Sequence, residues 1–358
     1  MYSDESEKIG RNISQYFFFS LHIILKMILS NPSLPIFSGC LLVIVPALLY
    51  GCSEEIPQHE LLSTVLTKTS LNSSAIAKES TLDIFTFNND RLMHLDAYQR
   101  IEDVKSGIIG ISSTCGEKIF FFCLNGQRDR YDWGMVSSYY SLMDIFCELE
   151  KETGTSRTIT GEIRATAGSR IQYAIVSPLS SEVVLKALSC DFSGTAYSGS
   201  VITDIKVYLT NVCASCPLLH TDGHKPTRII NTGGLNMSDI RSFSNPRIIT
   251  SKITERLSTQ TIYPDISLLC YPNPTIEESP GSPHTRLVIE GKIDSQTYYW
   301  PITIDKGTGV GRGNRYVYDI LIRRKGVSDP DTPIDDVSMD IKLKIKPWTE
   351  KEGYSVDF

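Results

Sequence analysis

The chain has 358 residues, 41% of them hydrophobic, with 35 basic against 41 acidic side chains and a net charge of −6. That length suits about two domains of roughly 150 residues each once targeting sequence is set aside. A mildly acidic chain without a basic cluster excludes an electrostatic case for nucleic acid, and 17 tyrosines among many Ser, Thr, Ile and Val favour strands over helices.

The first fifty residues read as targeting sequence. Ile36 to Tyr50 is apolar and about 15 residues long, the length of a signal-peptide core and short of the roughly 20 residues a membrane span needs. Leu49-Tyr50-Gly51-Cys52 has the pattern that a lipoprotein signal peptidase reads. The thiol of Cys52 is the expected acylation site, and two acyl chains there anchor stably where one does not. An earlier apolar run, Tyr16 to Leu25, ends at Lys26, so translation starts at Met1 or at Met27. Ser53-Glu54-Glu55 follows the cysteine as an acidic pair.

Residues 53 to 80 are polar, carry one short apolar piece at Leu61 to Leu66, and read as a tether. Strands begin at Leu82 to Phe87, which run into the turn cluster Asn88-Asn89-Asp90. Lys118 to Leu124 is continuously apolar after its lysine and predicts a strand buried on both faces. In Tyr139 to Glu150, the spacing of Tyr139, Leu142, Met143, Phe146 and Leu149 predicts one amphipathic helix. Ile171, Tyr173 and Ile175 alternate as a strand. Ile205 to Leu209 alternates again, and Cys213 to about Arg256 reads as a long irregular stretch. Further strands are expected at 266–271, 284–293, 298–304, 316–323 and 337–345. Many short strands separated by turn signals read as β-sandwiches.

Seven cysteines follow Cys52, an odd number without the density of a disulfide framework. Cys213, Cys216, His220 and His224 bring four borderline ligands into twelve residues, but the spacing lacks the gap that a zinc finger uses for its hairpin and helix. A Cys213–Cys216 disulfide and plain loop thiols are the other readings. Gly307 to Gly313 echoes a phosphate loop, yet a β-branched run follows where a helix N-terminus is needed, so these glycines read as a hairpin loop. There is no G-x-S-x-G and no H-E-x-x-H, and the adjacent acidic pairs Glu277-Glu278 and Asp335-Asp336 point to opposite faces of any strand. No catalytic, cofactor or metal residues are assigned. Trp133, Trp300 and Trp348 are scattered. Packing is the default for them, and a sugar platform on Trp133 or Trp300 is the alternative.

Several segments together resemble the fimbrillin superfamily, the lipoprotein subunits of type V pili. They are the Cys52 lipobox with its acidic follow-on, Leu82 to Phe87, and Gly116-Glu117-Lys118 leading to an apolar run that ends at Asn125. Next come the segment from Tyr139, Thr160-Gly161-Glu162, and Val207 to Val212. Last is a C-terminal set: Arg286 to Gly291, Tyr298 to Ile302, Asn314-Arg315-Tyr316, and Lys346-Pro347-Trp348 before Tyr354 to Phe358. The resemblance covers most of residues 80 to 358.

It implies an all-β chain of two tandem transthyretin-like Greek-key β-sandwich domains with one or two short helices, after a lipoprotein signal peptide. The expected division is 1–51 signal peptide, 52–80 tether or removable segment, 81–178 first sandwich and 179–358 second sandwich. It also implies export to the cell surface, anchoring in the outer membrane through lipid on Cys52, removal of a first strand by a trypsin-like protease, and polymerisation by β-augmentation with other fimbrial subunits. The processing candidates are Lys68, Lys78, Arg91 and Arg100, since no arginine lies between Cys52 and Leu82. The donor candidates are Val337, Met339, Ile341, Leu343, Ile345, Val356 and Phe358, which put an alternating apolar face on the C-terminal segment. A host or bacterial surface ligand is a further expected partner. Shaft subunit and base anchor both fit, as does a glycan-binding surface lipoprotein.

Overall fold

The structure, a computed structural model, describes residues 59–66, 80–104, 108–129, 132–153, 156–167, 172–219, 227–334 and 338–347. Cys52, Lys68, Lys78, His220, His224, Val337, Trp348, Val356 and Phe358 lie outside them. Gln58–Phe358 forms one compact unit.

The first strands are β1 (His59–Leu66), β2 (Leu82–Asn88), β3 (Leu95–Ile101), β4 (Ile108–Thr114) and β5 (Glu117–Leu124). A short helix α1 (Tyr139–Leu142) follows, then β6 (Phe146–Glu148), β7 (Ile159–Thr166), β8 (Gln172–Ala174) and β9 (Ser177–Pro178). They build a five-stranded sheet, β3-β2-β5-β7-β9, and a three-stranded sheet, β4-β1-β8. Between them lies an apolar layer of Leu82, Ile84, Ile109, Ile111, Phe120, Phe122, Leu124 and Ala174. The opposite face of the larger sheet, with Phe85, Phe87, Ile119, Phe121 and Cys123, belongs to a second and larger core. Two covers explain why β2 and β5 carry apolar residues at almost every position rather than at every second one. Gly116, with φ +110, lets the chain cross between the sheets after β4.

The remaining strands are β10 (Ser181–Cys190), β11 (Thr203–Thr210), β12 (Val212–Cys213), β13 (Ser215–Pro217), β14 (Ile229–Ile230), β15 (Thr250–Ile253), β16 (Ile266–Cys270), β17 (Arg286–Ile293), β18 (Gln296–Thr303), β19 (Asn314–Ile322) and β20 (Met339–Pro347). One sheet runs β16-β10-β19-β20 and the other β15-β11-β17-β18, with their apolar faces in the larger core. The all-β architecture with two short helices, α1 and α2 (Met237–Arg241), matches the expectation.

Three expectations change. The helix from Tyr139 stops at Leu142, because Phe146 to Glu148 pair as a strand with Pro217 to Ser215 and Leu149 donates its amide to Ala214. Leu142 and Leu149 are buried as the periodicity required, but Met143 is exposed. The stretch after Cys213 is not irregular throughout: β12, β13, β14, α2 and β15 occupy it. The glycine-rich segment before β19 is not a hairpin loop, since β18 pairs with β17 whereas β19 pairs with β10 and β20. It carries the chain from one sheet to the other.

Candidate functional site: a central first strand and a free last strand

Within the segment expected to be a tether or a removable piece, His59–Leu66 is a strand. β1 is the middle strand of its sheet. It runs antiparallel to β4 from His59↔Thr114 to Val65↔Ile108 and parallel to β8 from Thr64↔Gln172 to Leu66↔Ala174. Its backbone is therefore the link between β4 and β8. Without it, two rows of ladder donors and acceptors lose their partners. The signal that sequence reading passed over was the length of the run around Leu61 to Leu66, long enough for a strand.

At the other end of the chain, β20 is the edge strand of its sheet. It pairs over its whole length with β19, from Met339↔Ile322 to Pro347↔Asn314, and with nothing on its other side among the described residues. Ile341, Leu343 and Ile345 are 41%, 39% and 44% exposed, and the intervening Lys342, Lys344 and Lys346 are open on the other face or half-buried. Met339 differs from the other donor candidates, being buried at the strand's start. Lysines along an edge are a common guard against indiscriminate pairing.

The two arginines named as processing candidates sit differently. Arg91 is exposed in the turn after β2, where the Asp90 carboxylate accepts from the amides of Leu92 and Met93. Arg100 lies within β3, ion-paired with Glu102 and with the buried Asp83. Asp83 also accepts from the Tyr98 hydroxyl at 2.5 Å; burial and that carboxylate push the Tyr98 phenol up to about 12. Cleavage after either arginine would detach β2, the strand between β3 and β5.

Cys213 and Cys216 lie in strands rather than in a loop, while His220 and His224 lie outside the described residues. Cys213 and Cys216 belong to different two-stranded ladders, and both are buried free thiols, as are Cys147 and Cys270. Burial pushes the Cys216 and Cys270 thiols up to about 12. Trp300 is fully buried and donates to the Arg324 carbonyl, while Trp133 stacks on Phe85 at 5.2 Å. Both are core residues, and neither offers a face to a sugar.

No family model and no curated relative matches the chain. Solved structures do. A candidate cell adhesion protein from Bacteroides eggerthii DSM 20697 is 14% identical, covering 83% of this chain and 98% of that one with a TM-score of 0.61. A fimbrilin (fimA) from Porphyromonas gingivalis W83 is 11% identical, covering 81% and 97% with a TM-score of 0.58. A candidate cell adhesion protein from Parabacteroides distasonis ATCC 8503 gives 13%, 82%, 98% and 0.57. The fold is thus that of fimbrillins and related adhesion proteins. The particular chain shares that fold at a sequence distance that leaves its role to be argued from its own strands.

Proposed function

We propose that this protein is a structural subunit of an adhesive fimbria, exported as a lipoprotein acylated at Cys52 and polymerised by strand exchange. The observation that carries the reading is that β1 is the middle strand of its sheet while β20, the last described strand, is an exposed edge. Cleavage at Lys68 or Lys78 falls between β1 and β2 and releases β1 alone. Cleavage at Arg91 or Arg100 would also remove β2, whose side chains are buried on both faces. The vacated slot between β4 and β8 then accepts an extended segment from another subunit. The backbone ladder supplies affinity, and alternate side chains entering the apolar layer supply register. Ile341, Leu343 and Ile345, with Val356 and Phe358 beyond them, are the donor side chains. A subunit that keeps β1 retains its lipid and serves as the base anchor; one that loses β1 joins the shaft, the role we favour here. The cell surface, with the outer membrane behind it, is the corresponding location.

Limited trypsin treatment of the soluble ectodomain tests this. Release of the β1 segment, followed by mass spectrometry of the new N-terminus, should be accompanied by a ladder of detergent-resistant multimers. Clean release of β1 with the protein remaining monomeric at high concentration would overturn the assembly mechanism.

A further inference from the structure

Lys118 is the one lysine among the described residues that is almost wholly buried, with its side chain 1% exposed. It is the second residue of β5, directly opposite Asn88, the last residue of β2. The Lys118 Nζ donates to Asn88 Oδ1 at 2.6 Å and to Thr114 Oγ1 at 2.5 Å, and stands 3.2 Å from Asp96 Oδ2. Thr114 fixes the carboxylate by donating its amide to Oδ2 at 2.8 Å and its hydroxyl to Oδ1 at 2.6 Å. An amine, a carboxamide and a carboxylate thus converge at the rim of an apolar layer, on the face shared by Phe120 and Phe122.

We propose that Lys118 and Asn88 join in an intramolecular amide bond, with Asp96 as the catalytic residue and Thr114 as the residue that positions it. The contact to Oδ1 places Nζ no more than about 3.8 Å from the amide carbon, since a C=O bond is about 1.23 Å. That approaches the separation of about 3–3.5 Å from which bonds form. The step balances without an outside reagent. The Lys118 ammonium gives one proton to Asp96, and rotation about Cε–Nζ turns the freed lone pair toward Asn88 Cγ. The new C–N bond forms as the carbonyl electron pair moves to Oδ1. When that pair returns, the Cγ–Nδ2 bond breaks. Asp96 relays two protons in turn from Nζ to Nδ2, so nitrogen leaves as ammonium and Asp96 ends as it began.

Burial favours this course, because a desolvated ammonium and carboxylate lower their joint cost by exchanging a proton. Burial alone pushes the Asp96 carboxyl up, but the hydrogen bonds from Thr114 and Lys118 outweigh it and hold the group below the ordinary carboxylate range. The bond forms through the pair once the proton has passed to Asp96. The product ties β2 to β5 within the five-stranded sheet, which faces the sheet that contains β1 across the apolar layer.

The test is mass spectrometry of the purified full chain, incubated until its mass no longer changes. We expect a deficit of one ammonia and, after trypsin, a branched peptide that joins the Asn88 and Lys118 segments and resists cleavage at Lys118. The Asp96→Ala variant should keep the ammonia and yield two linear peptides. Should that variant fail to fold, the wild-type digest decides: separate Asn88 and Lys118 peptides with no branched species overturn the proposal and leave an ordinary buried ion pair. Because this readout does not involve polymerisation, it stands or falls apart from the fimbrial reading.

Discussion

β2 and β20 are strands of similar length that differ in what covers them. β2 lies between β3 and β5 and is covered on both faces, so Leu82 and Ile84 meet one core while Phe85 and Phe87 meet the other. β20 has one neighbour, and from Asp340 onward its side chains are open or half-buried. The contrast separates strands that define the fold from one that, under the proposed strand exchange, the fold can lend. A subunit that exchanges strands needs both kinds, because the acceptor sheet must persist while the donor leaves.

The largest expected effect is on the covered strand. Phe85 is fully buried, stacks on Trp133 at 5.2 Å and contacts Tyr98 at 5.0 Å. Phe85→Ala removes that packing and leaves a cavity, which costs about 3–5 kcal/mol. Thermal unfolding of the monomer should show it as a large fall in Tm. A small fall would mean that β2 is less essential than its burial implies.

Gly161 in β7 comes next. A Cβ there would meet the Ile175 carbonyl oxygen at 2.2 Å, where the chain passes from β8 to β9. Backbone must move to relieve that overlap, so Gly161→Ala should destabilise by about 1–3 kcal/mol. The displaced residues adjoin β8, one wall of the slot that holds β1. The variant should therefore also loosen β1, which faster tryptic release would report.

Glu152 tests the covered side through pH. It is buried beside β7, where it accepts from the Thr158 amide at 3.0 Å and the Tyr271 hydroxyl at 3.0 Å. Desolvation outweighs these bonds and raises its pKa above the ordinary carboxylate value. A folded carboxyl with a raised pKa binds more protons than the unfolded one in the interval between the two values. Its contribution to stability therefore falls as pH rises from the ordinary carboxylate range through the raised value. Glu152→Gln keeps the shape and an acceptor without the charge. It should raise stability at neutral pH by about 1–3 kcal/mol and flatten the decline above pH ~4.5. Denaturant titrations at several pH values would measure both.

Much of this division was legible in the sequence. The continuous run Ile119 to Leu124 announced a strand with two covers, and the alternation in Met339 to Ile345 announced a strand with one apolar face. The helix expected through Phe146 and Leu149 was misread because helical spacing is also satisfied by a turn followed by a strand. What settles the matter is the partner β13, about 70 residues away, and no local pattern encodes it. The central place of β1 was hidden for the same reason, since its neighbours β4 and β8 are remote in the chain. The Lys118, Asn88 and Asp96 cluster draws on three strands and shows no spacing motif at all.

The smallest effect on the monomer should accompany the largest effect on assembly. Leu343 lies opposite Tyr318 in the register of β20 and is 39% exposed. Leu343→Ser removes only part of a side chain's burial and should cost the monomer about 1 kcal/mol. In a donor strand the same side chain would be enclosed by the acceptor's apolar layer, where a serine hydroxyl finds no partner and the lost burial is complete. Multimer ladders should then weaken sharply, whereas Leu343→Val, which keeps the position apolar and suits a strand, should preserve them. If serine and valine behave alike in assembly, this residue does not enter an acceptor, and the donor must be sought in the segment that follows Pro347. If serine instead lowers the monomer's stability as much as Phe85→Ala, the last strand is as fixed as the second, and the contrast between them fails.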